Sequence, residues 1–259
     1  MNTKTLSTRT LSVIDQYLHF RAGNAVCSVP YFNNRTVKAR AALRADNGKG
    51  SPKEILDEVQ AIAIKSHASL NALTDQSLKM LLADNNIGID CSGFAYYVLN
   101  AESEENKKGS LDKHISFVNC HGILGRIRCS LRPIENCDVA TLADDRNSRV
   151  VSMKEIQPGD MIVMIGGPDN NDRDHILIIH QVDYQNFVPT KIVYSHVMAY
   201  PEDGIYGSGV KQGTIQVLKP EAGLLEQKWS ENGKEGAENR IFLRAQKSKT
   251  EIRRLKWFA

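Results

Sequence analysis

The spacing of apolar residues changes along this chain, and that change limits the folds open to it. Through roughly the first hundred residues they recur at three- and four-residue intervals, the signature of helices with one buried face. Leu11, Ile14, Leu18 and Phe20 outline a short helix over 11–20. Ser51 reads as an N-cap, with Pro52 at the first helical position and Glu54 in place for a capping box. Ile55, Val59, Ile62 and Ala63 follow on one side, and 74–83 carries a third helical pattern. Beyond residue 160 the pattern becomes short apolar runs between turn signals, and 161–165, 176–182, 192–197, 214–218 and 240–243 all read as strands. Helices followed by sequential strands predict an α+β chain with helices packed on an antiparallel sheet. No apolar run approaches the roughly 20 residues that cross a bilayer.

Where the two patterns meet, residues 87–100 read Ile-Gly-Ile-Asp-Cys-Ser-Gly-Phe-Ala-Tyr-Tyr-Val-Leu-Asn. Asp90 is a good N-cap, so Cys91 falls in the first turn of a helix whose Phe94, Tyr97 and Val98 face a core. Unsatisfied N–H groups and the positive end of the helix dipole favour thiolate there and so a nucleophilic sulfur, although a small buried apolar residue is what most lone cysteines are. Further on, Pro158 and Gly159 make a turn before Asp160 and the strand 161–165. A polar loop with Gly166, Gly167, Pro168 and two asparagines comes next, and His175 then stands at the mouth of the strand that follows. Gly166-Gly167 links two strands without a Gly-x-Gly-x-x-Gly pattern, which excludes a phosphate loop.

A cysteine opening a helix, a Pro-Gly-Asp turn into an apolar strand and a histidine leading the next strand, in that order, resemble the NlpC/P60 family of papain-like cysteine peptidases. The likeness covers residues 87–200. It implies a papain-like catalytic domain over 76–220, with a mainly helical N-terminal extension (1–75) before it and a final strand and basic tail (221–259) after it. It implies Cys91 as nucleophile, His175 as base and His196 as the group that orients the base. Asp90 and Ser92, beside the cysteine, would hold a peptide amine, although helix capping and a first-turn hydrogen bond would account for them equally well. Neither a cofactor nor a metal is implied. The cleft-shaping stretch that many members carry between cysteine and turn has only Leu131-Arg132-Pro133 as a counterpart.

Strand alternation bears on the same assignment. His175, Leu177 and Ile179 share one face, whereas His180 lies on the other. On the next strand Ile192, Tyr194 and His196 share a face, so antiparallel pairing can bring His196 near His175. The separation of 21 residues predicts an enlarged turn around 185–189, and a register one residue off would offer Ser195 instead. Tyr31 could line a cleft but reads better as a buried aromatic.

Five cysteines, Cys27, Cys91, Cys120, Cys129 and Cys137, are an odd number without tight pairing, which predicts free thiols and a reducing, cytoplasmic compartment, with signal-independent export as the alternative. Residues 1–15 show no apolar signal region. His114, Cys120, His121, Cys129 and Cys137 lack a Cys-x-x-Cys pair and read as structural residues rather than zinc ligands. The net charge is only +3; the basic cluster Arg244, Lys247, Lys249, Arg253, Arg254 and Lys256 reads as a solvated tail more readily than as a nucleic-acid contact.

The expectation is a thiol hydrolase cleaving an amide in small peptides, bacterial cell-wall peptides above all, with no membrane or nucleic-acid partner. The alternatives are a papain-like acyltransferase or amidase acting on another substrate, and a non-catalytic binding protein that retains the fold.

Overall fold

A computed structural model describes residues 2–33, 43–166 and 174–258. The N-terminal half supplies four long helices, α1 (Thr8–Leu18), α2 (Pro52–Lys65), α3 (Asp75–Asp84) and α4 (Cys91–Glu105). Each starts where a side chain satisfies an orphan N–H. Ser51 and Glu54 form the reciprocal capping box, Thr74 accepts from Ser77 N, and Asp90 accepts from Gly93 N. Two short strands, β2 (Phe20–Ala22) and β3 (Ala25–Cys27), make a hairpin after β1 (Asn2–Thr5) and α1. A further helix, α5 (Gly122–Leu131), lies in the segment between α4 and the main sheet.

The second half builds that sheet from β4 (Ser148–Val150), β5 (Met161–Ile165), β6 (His175–Gln185), β7 (Val188–Met198), β8 (Gly209–Gln216), β9 (Lys228–Glu231), β10 (Lys234–Glu235) and β11 (Lys249–Leu255). The order is β10-β9-β8-β7-β6-β5-β11-β4, every neighbouring pair is antiparallel, and β1 pairs with the second half of β6. Mixed helices and an antiparallel sheet are the α+β class that the periodicity predicts.

Both faces of the sheet are covered. Met161, Val163, Ile176, Ile178 and Val197 join one core with Ile14, Tyr17, Ile55, Leu78, Phe94 and Leu99 from the four helices. Ile162, Met164, Leu177, Ile179, Ile192 and Tyr194, one residue out of phase, join a second core with Trp229 and with Ile241 and Ala245 of α6 (Arg240–Lys247). Period-two alternation thus divides β5, β6 and β7 between two cores, which is why they read as continuous apolar runs.

Five expectations need correction. Residues 240–243 are not a strand: Asn239 caps a helix there by accepting from Phe242 N, and Ile241 and Ala245, four apart, bury its inner side. A three-residue apolar run does not distinguish the two periods. The turn between β6 and β7 is not enlarged. It is a two-residue hairpin with Asn186 and Phe187 both at positive φ, and the 21-residue separation is absorbed by two eleven-residue strands with irregular register at two points. The C-terminal basic segment is no tail, because β11 lies between β5 and β4 with Arg253 and Arg254 buried. The N-terminal helices do not stand apart as an extension either, since α1 packs on α4 within the first core. Nor are all thiols free: Cys120 and Cys129 form a disulfide, leaving Cys27, Cys91 and Cys137 reduced. The Gly-Pro-Asn loop expected at 166–173 lies, beyond Gly166, outside the described residues.

The Pro-Gly-Asp turn holds three strands together. Gly159 adopts a φ of 93°, Asp160 Oδ2 accepts from Gln157 N at 2.8 Å, and the Asp160 carbonyl accepts from Ile179 N at 2.9 Å. Arg254 of β11 grips the same carboxylate with two donors, at 2.6 and 2.8 Å. Asp160 is 0% exposed. Arg254→Met should therefore strand a buried charge and lower stability by about 3–5 kcal/mol in urea unfolding, with much of that loss restored by adding Asp160→Asn.

Candidate active site

Asp90 ends the lead-in to α4 and begins the helix. Its N–H donates to Gly48 O at 2.8 Å, and its Oδ1 accepts from Gly93 N at 2.6 Å. Cys91 is thereby fixed in the first turn and carried against the sheet, because α4 packs on β6 and β7. The backbone N–H of Ile176 hydrogen-bonds to the Cys91 sulfur. Since Ile176 N is two covalent bonds from the Cα of His175, the sulfur meets β6 at the base of the His175 side chain. Among the described residues no hydrogen bond joins that sulfur to the His175 ring: Cys91 packs in the first core with Ile176 and Ile178, whereas His175 shares the other face of β6 with Leu177 and Ile179.

β6 and β7 pair from Ile178↔Ser195 to the hairpin; towards the other end, His175–Leu177 and His196–Met198 have no partner across this ladder. There His175 and His196 lie diagonally on one face. His175 Nε2 is 2.9 Å from His196 Nδ1, with the rings perpendicular at 85°. His196 Nε2 is 2.7 Å from Glu231 Oε2. Glu231, on β9, also accepts from Tyr200 Oη at 2.8 Å and from Tyr194 Oη at 3.5 Å. Gly213 of β8 stands opposite both Tyr194 and Glu231, and a Cβ there would collide with the Tyr194 hydroxyl and ring. The missing side chain lets Tyr194 cross β8 towards the carboxylate.

This chain of bonds decides where the protons sit. Burial would raise the Glu231 carboxyl, but His196 beside it and the hydrogen bonds from His196 and Tyr200 outweigh burial and hold it below the ordinary glutamate value. An ionised Glu231 can only accept, so His196 carries a proton on Nε2, and in its neutral form presents a bare Nδ1. His175 must then donate through Nε2, which leaves Nδ1 as its free lone pair. Burial, His196 and Arg244 together push the His175 pKa well below 6.5, so the ring is neutral at rest.

Cys91 differs from its sequence expectation. It is 8% exposed, and burial first, then the Asp90 carboxylate, push its thiol from 9.0 up to about 12 against the opposing pull of Lys49, Arg244 and the Ile176 N–H. That corresponds to roughly 4 kcal/mol against ionisation, whereas a helix end supplies about 0.3–2 kcal/mol in favour. Desolvation wins, and the resting pair is thiol and imidazole.

Asp90 and Ser92 are both engaged. Lys49 Nζ donates to Asp90 Oδ1 at 2.9 Å and to Ser92 Oγ at 2.7 Å, and Ser92 Oγ donates to Asp90 Oδ1 at 3.0 Å. An internal ammonium thus occupies the position that an external amine would need. His180 lies away from the pair, where Gln212 donates to its Nε2 at 3.2 Å. Ser195 points to the face opposite His196, and its buried hydroxyl has no partner among the described residues. Tyr31 is half-buried and bridges to Ile89.

Sequence reasoning missed Glu231, Tyr200, Lys49 and Arg244. Glu231 lies 35 residues beyond His196 in a segment with no strand signal, and only the β7-β8-β9 order brings it into range. Lys49 sits in a glycine-flanked turn that carries no pattern. The chain matches no protein-family model, no curated protein and no solved structure.

His175 and His180 make folding pH-dependent. His180 is lowered by burial to about 4. Both folded values lie below the ordinary 6.5, so between about pH 6.5 and 4 the unfolded chain binds the extra protons and stability falls as pH falls. Each contributes a slope of up to about 1.4 kcal/mol per pH unit. Urea unfolding from pH 7 to 5 should show this loss, and His180→Gln should remove about half of it.

Proposed function

We propose that the protein is a cysteine hydrolase of papain-like, NlpC/P60 type that cleaves an amide bond in small peptides. The observation that carries the proposal is the buried series His175–His196–Glu231, in which His175 Nδ1 is the one ring nitrogen without a hydrogen bond among the described residues. Cys91 Sγ, hydrogen-bonded by the Ile176 N–H at the base of the His175 side chain, forms the bond to the carbonyl carbon as its proton passes to His175 Nδ1. The imidazolium that results is stabilised through His196 by Glu231. Backbone N–H groups at the start of α4 meet the developing oxyanion. Collapse breaks the C–N bond, His175 Nδ1 returns the proton to the leaving amine, and a thioester remains on Cys91. Water, activated by the same nitrogen, releases the acid and restores the thiol. Because thiol and base are both neutral at rest, proton transfer accompanies attack instead of preceding it.

Cell-wall peptides containing D-amino acids are the substrate class the resemblance favours. Lys49 modifies that reading: with Asp90 and Ser92 occupied by its ammonium, the substrate is recognised without a free amine at those two residues.

A second reading, a binding protein that keeps the fold without turnover, draws on the same burial. A thiol pushed up to about 12, with no bond to a ring that itself resists protonation, is also what an inert site would show. A panel of cell-wall peptides, with free and blocked N-termini, separates the two. Hydrolysis by the wild type, abolished in Cys91→Ala and reduced about a hundredfold to ten-thousandfold in Glu231→Gln, is the expected result. Glu231→Gln acts by allowing the tautomer that protonates His175 Nδ1. Equal behaviour of wild type and Cys91→Ala across the panel would overturn the hydrolase.

A further inference from the structure

Helix α5 presents its apolar side chains to solvent. Ile123, Leu124, Ile127 and Leu131 are 80%, 83%, 51% and 74% exposed, whereas Cys129, bound to Cys120 by the disulfide, is 3% exposed. At about 100° per residue the four apolar positions fall within an arc of about 100°, and Cys129 lies on the opposite side. The stripe therefore faces away from the protein body. The same geometry places Arg126 at one margin of the stripe and Arg128 at the other, with Arg132 just past the helix end. From residue 113 to residue 134 the chain contains no Asp or Glu, while Lys113 and the three arginines are all cationic. Isolated exposed apolar residues are ordinary, but four on one convex helix face flanked by arginines are not.

We infer that α5 is a docking surface for an anionic lipid bilayer, with Ile123, Leu124, Ile127 and Leu131 entering the interface and Arg126, Arg128 and Arg132 meeting lipid phosphates. The shape and the charge favour a lipid occupant. A bilayer accepts an exposed apolar helix face without a matching groove and lets the flanking arginines extend to the headgroups. Cationic side chains at the stripe margins match the negative potential of an anionic leaflet. The disulfide ties Cys129 on the inner side of the helix to the loop before it, so the stripe is held outward. No helix among the described residues is long and apolar enough to cross a membrane, but surface binding needs only one such face. Docking does not involve Cys91, His175 or Glu231 and stands independently of the proposed hydrolase.

Flotation of the full-length protein with vesicles tests this. Wild type should float with vesicles of mixed phosphatidylglycerol and phosphatidylcholine and stay behind with phosphatidylcholine alone. Ile123→Ser with Leu124→Ser should weaken binding about tenfold or more, and Arg126→Gln with Arg128→Gln should weaken it and reduce its sensitivity to salt. All four positions are exposed, so circular dichroism of each variant should match wild type. Failure of wild type to float with the anionic vesicles overturns the inference. So does binding that survives loss of the apolar pair, which would be electrostatic attraction alone. Self-association abolished by the apolar pair, without vesicle binding, would assign the stripe to a second copy of this chain instead.

Discussion

A carboxylate buried between strands must find donors, and Glu231 finds them in His196, Tyr200 and Tyr194. The rest of the candidate site follows from that requirement. A carboxylate that accepts from His196 Nε2 makes His196 an acceptor at Nδ1, which makes His175 a donor at Nε2, which frees His175 Nδ1. No direct contact between Glu231 and His175 is needed, because each imidazole passes the constraint on through its second nitrogen. The bonds are short and shielded from water, where hydrogen-bonded series of this kind are strongest.

Burial cuts the other way at the sulfur. The low dielectric that strengthens the histidine series also opposes any charge on Cys91 or His175, and the helix N-terminus is too weak to reverse it. Lys49 is the near counterweight: its ammonium pairs with Asp90, the carboxylate that opposes a thiolate most directly, and offsets part of that opposition. The resting thiol is uncharged, and charge sits at the edges of the site, in Lys49–Asp90 and on the Glu231 carboxylate.

Much of this was legible in the residues. Ser51-Pro52-Lys53-Glu54 and Asp90-Cys91 specify helix starts because capping is local chemistry, settled within three or four positions. Met161–Ile165 reads correctly as a buried strand, and alternation separates His180 from His175 before any coordinates exist. Residues 240–243 mislead because Ile-Phe-Leu suits either period, and the deciding contacts, to Trp229 and its neighbours, come from elsewhere in the chain. The 21 residues between the histidines suggest a long turn only if the strands are short; two eleven-residue strands need none.

What the sequence determined by itself is local: the helix that carries Cys91, the turn that ends in Asp160, the strand that begins with His175, and the alternation that aligns His196. Tertiary structure decided whatever depends on burial or on contacts remote in the chain. It put Glu231 across two strands from His196, seated Lys49 on Asp90 and Ser92, drew Arg254 into the sheet against Asp160, and turned an expected thiolate into a thiol. The division has one physical cause. Capping and alternation act over a few covalent bonds, whereas desolvation and ion pairing depend on which atoms exclude water, and only the packed chain settles that.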